Sequence, residues 1–214
     1  MKVFVVGATG QIGKHLIDLL QKSDQHTVRA MVRKEEQAET MKQQGIDVAI
    51  ASLEGSIEDI AKAAKGCDAI IFTAGSGGHT GYDKTLLIDL DGAAKTVAAT
   101  EQAGINRFVI VSALQAHRPE NWNKEMAPYY VAKHYADRIV EQSKLDYTII
   151  RPGGLLNERG TGKISASENL ERGSIPREDV AKTIIASLEA RHTFKKFFDL
   201  ISGETTIEEA LKTV

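Results

Sequence analysis

The stretch VFVVGATGQIGKHL, residues 3–16, constrains this chain more than any other. A β-branched apolar run breaks at Gly7, and Ile12, Leu16, Leu19 and Leu20 then fall at i, i+4, i+7 and i+8, one face of a helix. Gly7, Gly10 and Gly13 lie between the strand and that face. The first glycine permits a tight exit from the strand, the second lets a ligand approach the backbone, and the third lets helix and strand pack closely. A helix that starts this way offers unpaired N–H groups and a partial positive charge, which suit a diphosphate. Three glycines alone would mark only a tight turn, but the flanking strand and helix make this a dinucleotide-binding unit. Gly7, Thr9, Gly10, Gln11, Ile12 and Gly13 are its expected contacts.

Further along, short β-branched runs near 2–6, 27–32, 47–50, 68–73, 106–112, 145–150 and 195–200 alternate with helical patterns. This predicts an α/β fold, a doubly wound parallel sheet of about seven strands with helices on both faces. Ala132, Ala136, Ile139 and Val140 give the helix near 127–140 a buried face. Ser174, Ile175 and Pro176 read as a helix start with proline in the first turn, leading to Val180, Ile184 and Leu188. The length suits one domain over 1–214, with a small substrate-side elaboration around 152–175. The least patterned stretches, 74–81, 113–127 and 152–170, each follow a strand, where open α/β sheets bind ligands.

Composition removes several partner classes. The 27 basic and 29 acidic side chains are well mixed, and a net charge of −2 gives no field to gather nucleic acid or anionic lipid. Cys67 is the only cysteine, which rules out an internal disulfide and a cysteine metal cluster and fits a reducing compartment. The amino-terminal apolar run is too short for a signal peptide, and no run reaches the ~18 residues of a membrane span. A soluble cytoplasmic protein acting on a small-molecule substrate is expected. The six histidines, at 15, 26, 79, 117, 134 and 192, show no paired helical spacing, so no metal is expected. No surface pattern marks an interface between copies.

NAD-preferring folds usually carry an acid at the end of the second strand, about 20 residues beyond the glycines, to hold the adenosine ribose. This chain reads RAMVRKEEQ there, with Arg33 and Lys34 directly after the strand. A guanidinium can hold the extra 2′-phosphate of NADP through two parallel hydrogen bonds, so NADP(H) is favoured over NAD(H). The alternative is a solvated basic pair ahead of the next helix.

These features, with GCDAIIFTAG (66–75), RFVIVSA (107–113), YYVAK (129–133), LDYTIIRPGGL (145–155) and SIPREDVA (174–181), resemble the short-chain dehydrogenase/reductase superfamily. The resemblance is to its atypical, single-domain, Rossmann-type branch, which includes proteins similar to NAD-dependent epimerase/dehydratases, flavin and biliverdin reductases and NADP-sensing regulators. It implies that Leu53 borders the adenine, with Ser52 in place of the usual acid, and that Thr73, Ala74 and Gly75 pass beneath the ribose and pyrophosphate. It further implies that Pro152, Gly153 and Gly154 approach the nicotinamide end.

Tyr129 and Lys133 are four apart and can project from one side of a helix, with Pro128 in its first turn. In the superfamily such a lysine holds the nicotinamide ribose and draws the phenol toward ionisation, so the tyrosine can exchange a proton with a carbonyl or alcohol. The alternative is a surface ring and a solvated ammonium. A serine usually orients the substrate oxygen. Ser112 is the hydroxyl at the fifth strand's end, one or two positions before the place the related enzymes use, where this chain has Ala113 and Leu114. The catalytic candidates are therefore Tyr129, Lys133 and Ser112. Two further residues stand open: His79 in SGGHTG as a substrate or pyrophosphate contact, and Trp122 as either an exposed lid or a ring packed under its own loop.

Three functions fit these expectations. One is an NADPH-dependent reductase of a small carbonyl, quinone or flavin-type acceptor. Another is a sugar-nucleotide epimerase or dehydratase, disfavoured because residues 151–214 must also supply a strand and two helices. The third is an NADP sensor without turnover.

Overall fold

The computed structural model describes residues 1–78 and 80–214. Along the chain run β1 (Lys2–Val6), α1 (Gln11–Gln21), β2 (Thr27–Val32), α2 (Glu35–Gln43), β3 (Asp47–Ile50), α3 (Ile57–Ala64) and β4 (Ala69–Phe72). A short α4 (Tyr82–Lys84) continues through a π-helical segment, Thr85–Asp91, into α5 (Gly92–Gln102), followed by β5 (Arg107–Val111), α6 (Ala127–Gln142) and β6 (Asp146–Pro152). The last third holds β7 (Gly154–Leu156), β8 (Lys163–Ser167), β9 (Ser174–Pro176), α7 (Arg177–Ser187), β10 (Lys196–Ser202), β11 (Thr205–Thr206) and α8 (Ile207–Leu211).

The main sheet has the order β11-β8-β10-β6-β5-β4-β1-β2-β3. Its seven expected strands, β1 to β6 and β10, pair in parallel. The class is as predicted but the strand count is larger: β8 and β11 extend the edge beyond β10 in antiparallel fashion, and β7 and β9 form a separate parallel pair. The chain leaves β1 toward β2 and β3 on one side, then crosses to β4 on the other. The crevice outside the strands' carboxyl ends at this reversal is where such sheets bind ligands.

Alternation along β1 divides the core. Val3 and Val5 join Leu16, Leu20, Val180 and Ile184 beneath α1 and α7, whereas Phe4 and Val6 join Ile60, Val97, Ala136 and Val140 beneath α3, α5 and α6. Arg107, buried at the start of β5, donates to the carbonyls of Ser187 (2.6 Å) and Leu188 (3.0 Å), satisfying acceptors at the carboxyl end of α7. No helix among the described residues is long and apolar enough to cross a membrane.

One expected boundary is corrected. Ser174, Ile175 and Pro176 do not begin a helix; they form β9, paired with Gly154–Leu156, and Pro176 precedes the first helical residue, Arg177. Strand pairing outweighs the local helix-start signal. Val180, Ile184 and Leu188 are nonetheless fully buried, as the helical spacing predicts.

Candidate active site

The turn after β1 is shaped by its glycines. Gly7 has φ +93°, and a Cβ there would stand 2.6 Å from the Ala74 backbone nitrogen. A Cβ on Gly13 would collide with the Gly7 carbonyl oxygen and come within 2.8 Å of the Ala8 carbonyl oxygen, so only glycine lets α1 lie this close to β1. Gly10 donates its N–H to Gly7 O (2.9 Å) and immediately precedes α1. Among the described residues no side chain caps that helix, and no acid occupies its first turn, whereas α3 begins with a Ser56 cap and two acids. Thr9, Gly10 and Gln11 are exposed, and Ile12 is buried in the core. The donors at the start of α1 thus have neither a capping oxygen nor a nearby carboxylate, which fits an anionic diphosphate.

Arg33 and Lys34 are exposed between β2 and α2. Both backbone N–H groups donate to Gln37 Oε1 at 3.2 Å, so the donors this turn presents to solvent are the two side chains. Leu53 is buried against Gly92 on α5, where a Cβ would come within 3.1 Å of it. Ser52 accepts the Glu54 N–H at 3.2 Å.

Helix α6 starts with Pro128 in its first turn and directs Tyr129 and Lys133 to one side. Lys133 is not a solvated head: it is 4% exposed, and its Nζ donates to Val111 O (3.3 Å), pairs with Asp89 Oδ1 (3.1 Å) and lies 5.7 Å from the centre of the Tyr129 ring. Burial works against this ammonium, yet Tyr129 and Asp89 hold its pKa above the ordinary lysine value. The Tyr129 phenol is pushed up, chiefly by burial and against the pull of Lys133.

Asp89 was not among the residues expected from sequence. It lies in the π-helical segment, and its Oδ2 accepts the Ser76 N–H at 3.0 Å. Such segments recur at functional sites. A signal was present: Thr85, Asp89, Ala93, Thr96 and Thr100 share a helical face that is otherwise small or uncharged, and all are buried.

Ser112 follows the last residue of β5 and is 4% exposed, with no hydrogen-bond partner for its hydroxyl oxygen among the described residues. Thr73, just past β4, likewise has a buried hydroxyl without a partner among the described residues, beside half-buried Ala74 and exposed Gly75. Buried polar atoms are rarely left unpaired, so two such hydroxyls at the ends of adjacent strands fit a polar ligand crossing there. Pro152 ends β6. A Cβ on Gly153 would collide with Gly173 O, and Gly154 donates its N–H to that oxygen at 2.9 Å, so packing against Gly173 already explains the lack of bulk at Gly153. Trp122 packs under its own loop: its Nε1 donates to Ala116 O (3.3 Å) and its ring stacks on Tyr130 at 5.9 Å. His79 lies outside the described residues.

Comparison with known proteins agrees with this geometry. The sequence profile of the NAD(P)H-binding family matches residues 7–191. The chain is 64% identical over 212 residues to the "Uncharacterized sugar epimerase YhfK" of Bacillus subtilis, covering 99% of each. A solved putative NAD-dependent epimerase/dehydratase from Bacillus halodurans is 42% identical, with a TM-score of 0.92 over 100% of both chains. ChuY, an anaerobillin reductase from Escherichia coli O157:H7, is 26% identical, with a TM-score of 0.81 over 96% of this chain and 99% of its own. With the bare start of α1, the glycine cradle and the unpaired hydroxyls, these likenesses show that the chain belongs to the NAD(P)H-binding family, within the atypical short-chain dehydrogenase/reductase superfamily.

Proposed function

We propose that the protein is an NADPH-dependent reductase of a small carbonyl, quinone or flavin-type acceptor. The observation that carries this reading is the burial of the Lys133 ammonium beside the Tyr129 ring at the carboxyl end of β5. Withdrawing an ammonium from water costs several kcal/mol by order of magnitude, and here Asp89 and Val111 O offset that cost while holding the ammonium beside the phenol ring. The start of α1 receives the diphosphate, and the side chains of Arg33 and Lys34 take the 2′-phosphate. Lys133 donates to the hydroxyls of the nicotinamide ribose, while Thr73 and Ser112 offer the hydroxyls the protein leaves unpaired. When bound, the reduced dinucleotide supplies a hydride. Tyr129 gives a proton to the substrate oxygen as the hydride arrives. That ChuY is named a reductase supports the same direction of chemistry.

Two relatives carry epimerase names. Here β7 to β11, α7 and α8 place most of residues 151–214 in strands and helices that complete the fold rather than in a separate lobe. A sensor without turnover is favoured by one observation: Ser112 is almost wholly buried, and Ala113 and Leu114 after it carry no hydroxyl.

The test is NADPH absorbance followed across aldehydes, ketones, quinones and flavins, repeated with Tyr129→Phe. Consumption with one acceptor class, lost in the variant by about 100-fold or more, is expected, in line with removal of a positioned acid. NADPH binding without oxidation of any of them would favour the sensor.

A further inference from the structure

Asp89 places a carboxylate inside the fold at 1% side-chain exposure, and its Oδ1 stands 3.1 Å from Lys133 Nζ. The carboxylate is locked in place: Ser76 N–H holds Oδ2 at 3.0 Å, and Gly75 passes so close that a Cβ there would lie 3.2 Å from Oδ1. Lys133 is also held, by Val111 O at 3.3 Å. Ammonium and carboxylate therefore act on their surroundings as a nearly neutral pair rather than as a free cation.

This changes what Lys133 does to its neighbour. A lone ammonium about 6 Å from a phenol ring favours the phenolate, but an opposite charge within contact distance of that ammonium offsets part of the effect. Among the described residues, the titratable and charged groups acting on Tyr129 are Lys133, Tyr130 and Asp137 from its own helix and Asp89 from the π-helical segment. The single cation in that set is the one Asp89 engages. Burial raises the phenol pKa; Lys133 pulls against it, and Asp89, Tyr130 and Asp137 push with it.

We propose that Asp89 is a positioning residue that offsets the Lys133 charge, so that Tyr129 enters the reaction as a neutral phenol and the site takes carbonyl acceptors rather than alcohols. The proposal rests on the reductase reading and narrows it. In the step it describes, hydride from the reduced dinucleotide forms the new C–H bond, and the carbonyl π pair moves to oxygen. That oxygen takes the Tyr129 proton to complete the alcohol, the dinucleotide leaves oxidised, and water reprotonates the phenolate. An alcohol substrate would need Tyr129 already ionised to accept its proton, the state that the Asp89–Lys133 pair withholds.

The test uses protein labelled with 13C at tyrosine Cζ, without dinucleotide or substrate, titrated by NMR from about pH 7 to about pH 10, the value of a free phenol. Tyr129→Phe assigns the signal. In the wild type the Tyr129 resonance should stay at the phenol position throughout. In Asp89→Asn, which keeps an acceptor for Ser76 N–H, it should move toward phenolate within that range, at least a tenfold rise in the ionised fraction at a given pH. Ionisation of wild-type Tyr129 below pH 10 would overturn the proposal even if the variant does not fold, and an unmoved signal in a folded variant would do the same. Because neither arm measures turnover, failure to consume NADPH and failure here are separate results.

Discussion

Arg151 Nε lies 2.8 Å from Asp137 Oδ2 with both side chains almost wholly withdrawn from water, joining the end of β6 to the inner face of α6. The guanidinium also lies over the Phe197 ring, 4.5 Å from its centroid, and 3.6 Å from Glu141, which is one-third exposed. Asp137 is one turn beyond Lys133, so this pair holds the helix that carries Tyr129 and Lys133. Asp137→Ala should cost about 3–5 kcal/mol in urea unfolding, because it leaves a guanidinium buried without its counter-charge. Glu141→Gln should cost under about 1 kcal/mol, since its partner contact is long and water-screened.

Gly13 and Gly10 should separate folding from binding. Gly13→Ala drives a methyl into the Gly7 carbonyl and should destabilise the fold by about 1–3 kcal/mol or more, read as a lowered unfolding midpoint. A Cβ at Gly10 would stand 3.1 Å from the Gly7 carbonyl oxygen, a tight contact that a shift of a few tenths of an ångström relieves, so Gly10→Ala should stay folded by circular dichroism. In calorimetry it should bind neither NADPH nor NADH, because its side chain stands where the diphosphate must approach.

Arg33→Ala should weaken NADPH about tenfold or more, the loss of a charge-assisted hydrogen bond, and leave NADH nearly unchanged. Equal losses for the two dinucleotides would count against a 2′-phosphate contact. The backbone donors of this turn are already engaged by Gln37, which leaves the side chain as the discriminating group.

Asp199, fully buried on β10, ties together two loops: it accepts N–H groups from Gln115 (3.2 Å) and Leu170 (3.1 Å). Burial pushes its pKa above the ordinary aspartate range, partly offset by these donors. Between the unfolded value and the raised folded value, the native state holds a proton that the unfolded chain has lost, so this residue makes stability fall as pH rises across that window. Asp199→Asn should remove that slope and cost about 1–3 kcal/mol above it, since an amide NH2 then faces a backbone N–H. Urea unfolding of both proteins from about pH 4 to about pH 6 checks it: the wild-type-minus-variant difference should decline with rising pH, and a difference that grew would contradict the assignment.

The sequence by itself determined the parallel sheet and the glycine turn after β1. β1, β2 and β3 occur at the expected residues, because alternation of buried side chains and the conformational demands on Gly7 and Gly13 are local properties of a few neighbouring residues. The Tyr129–Lys133 spacing is local in the same sense. Tertiary structure decided everything that depends on partners distant in the chain. Ser174–Pro176 became a strand because Gly154–Leu156 lies beside it, and β8 and β11 took places at the sheet edge that no local pattern announces. Asp89 met Lys133, forty-four positions later, because a widened helical turn and the end of β5 bring a carboxylate and an ammonium to one buried point. Periodicity identifies which residues face inward, but only packing determines which of them touch, and in a low-dielectric interior that contact sets the charge available for chemistry.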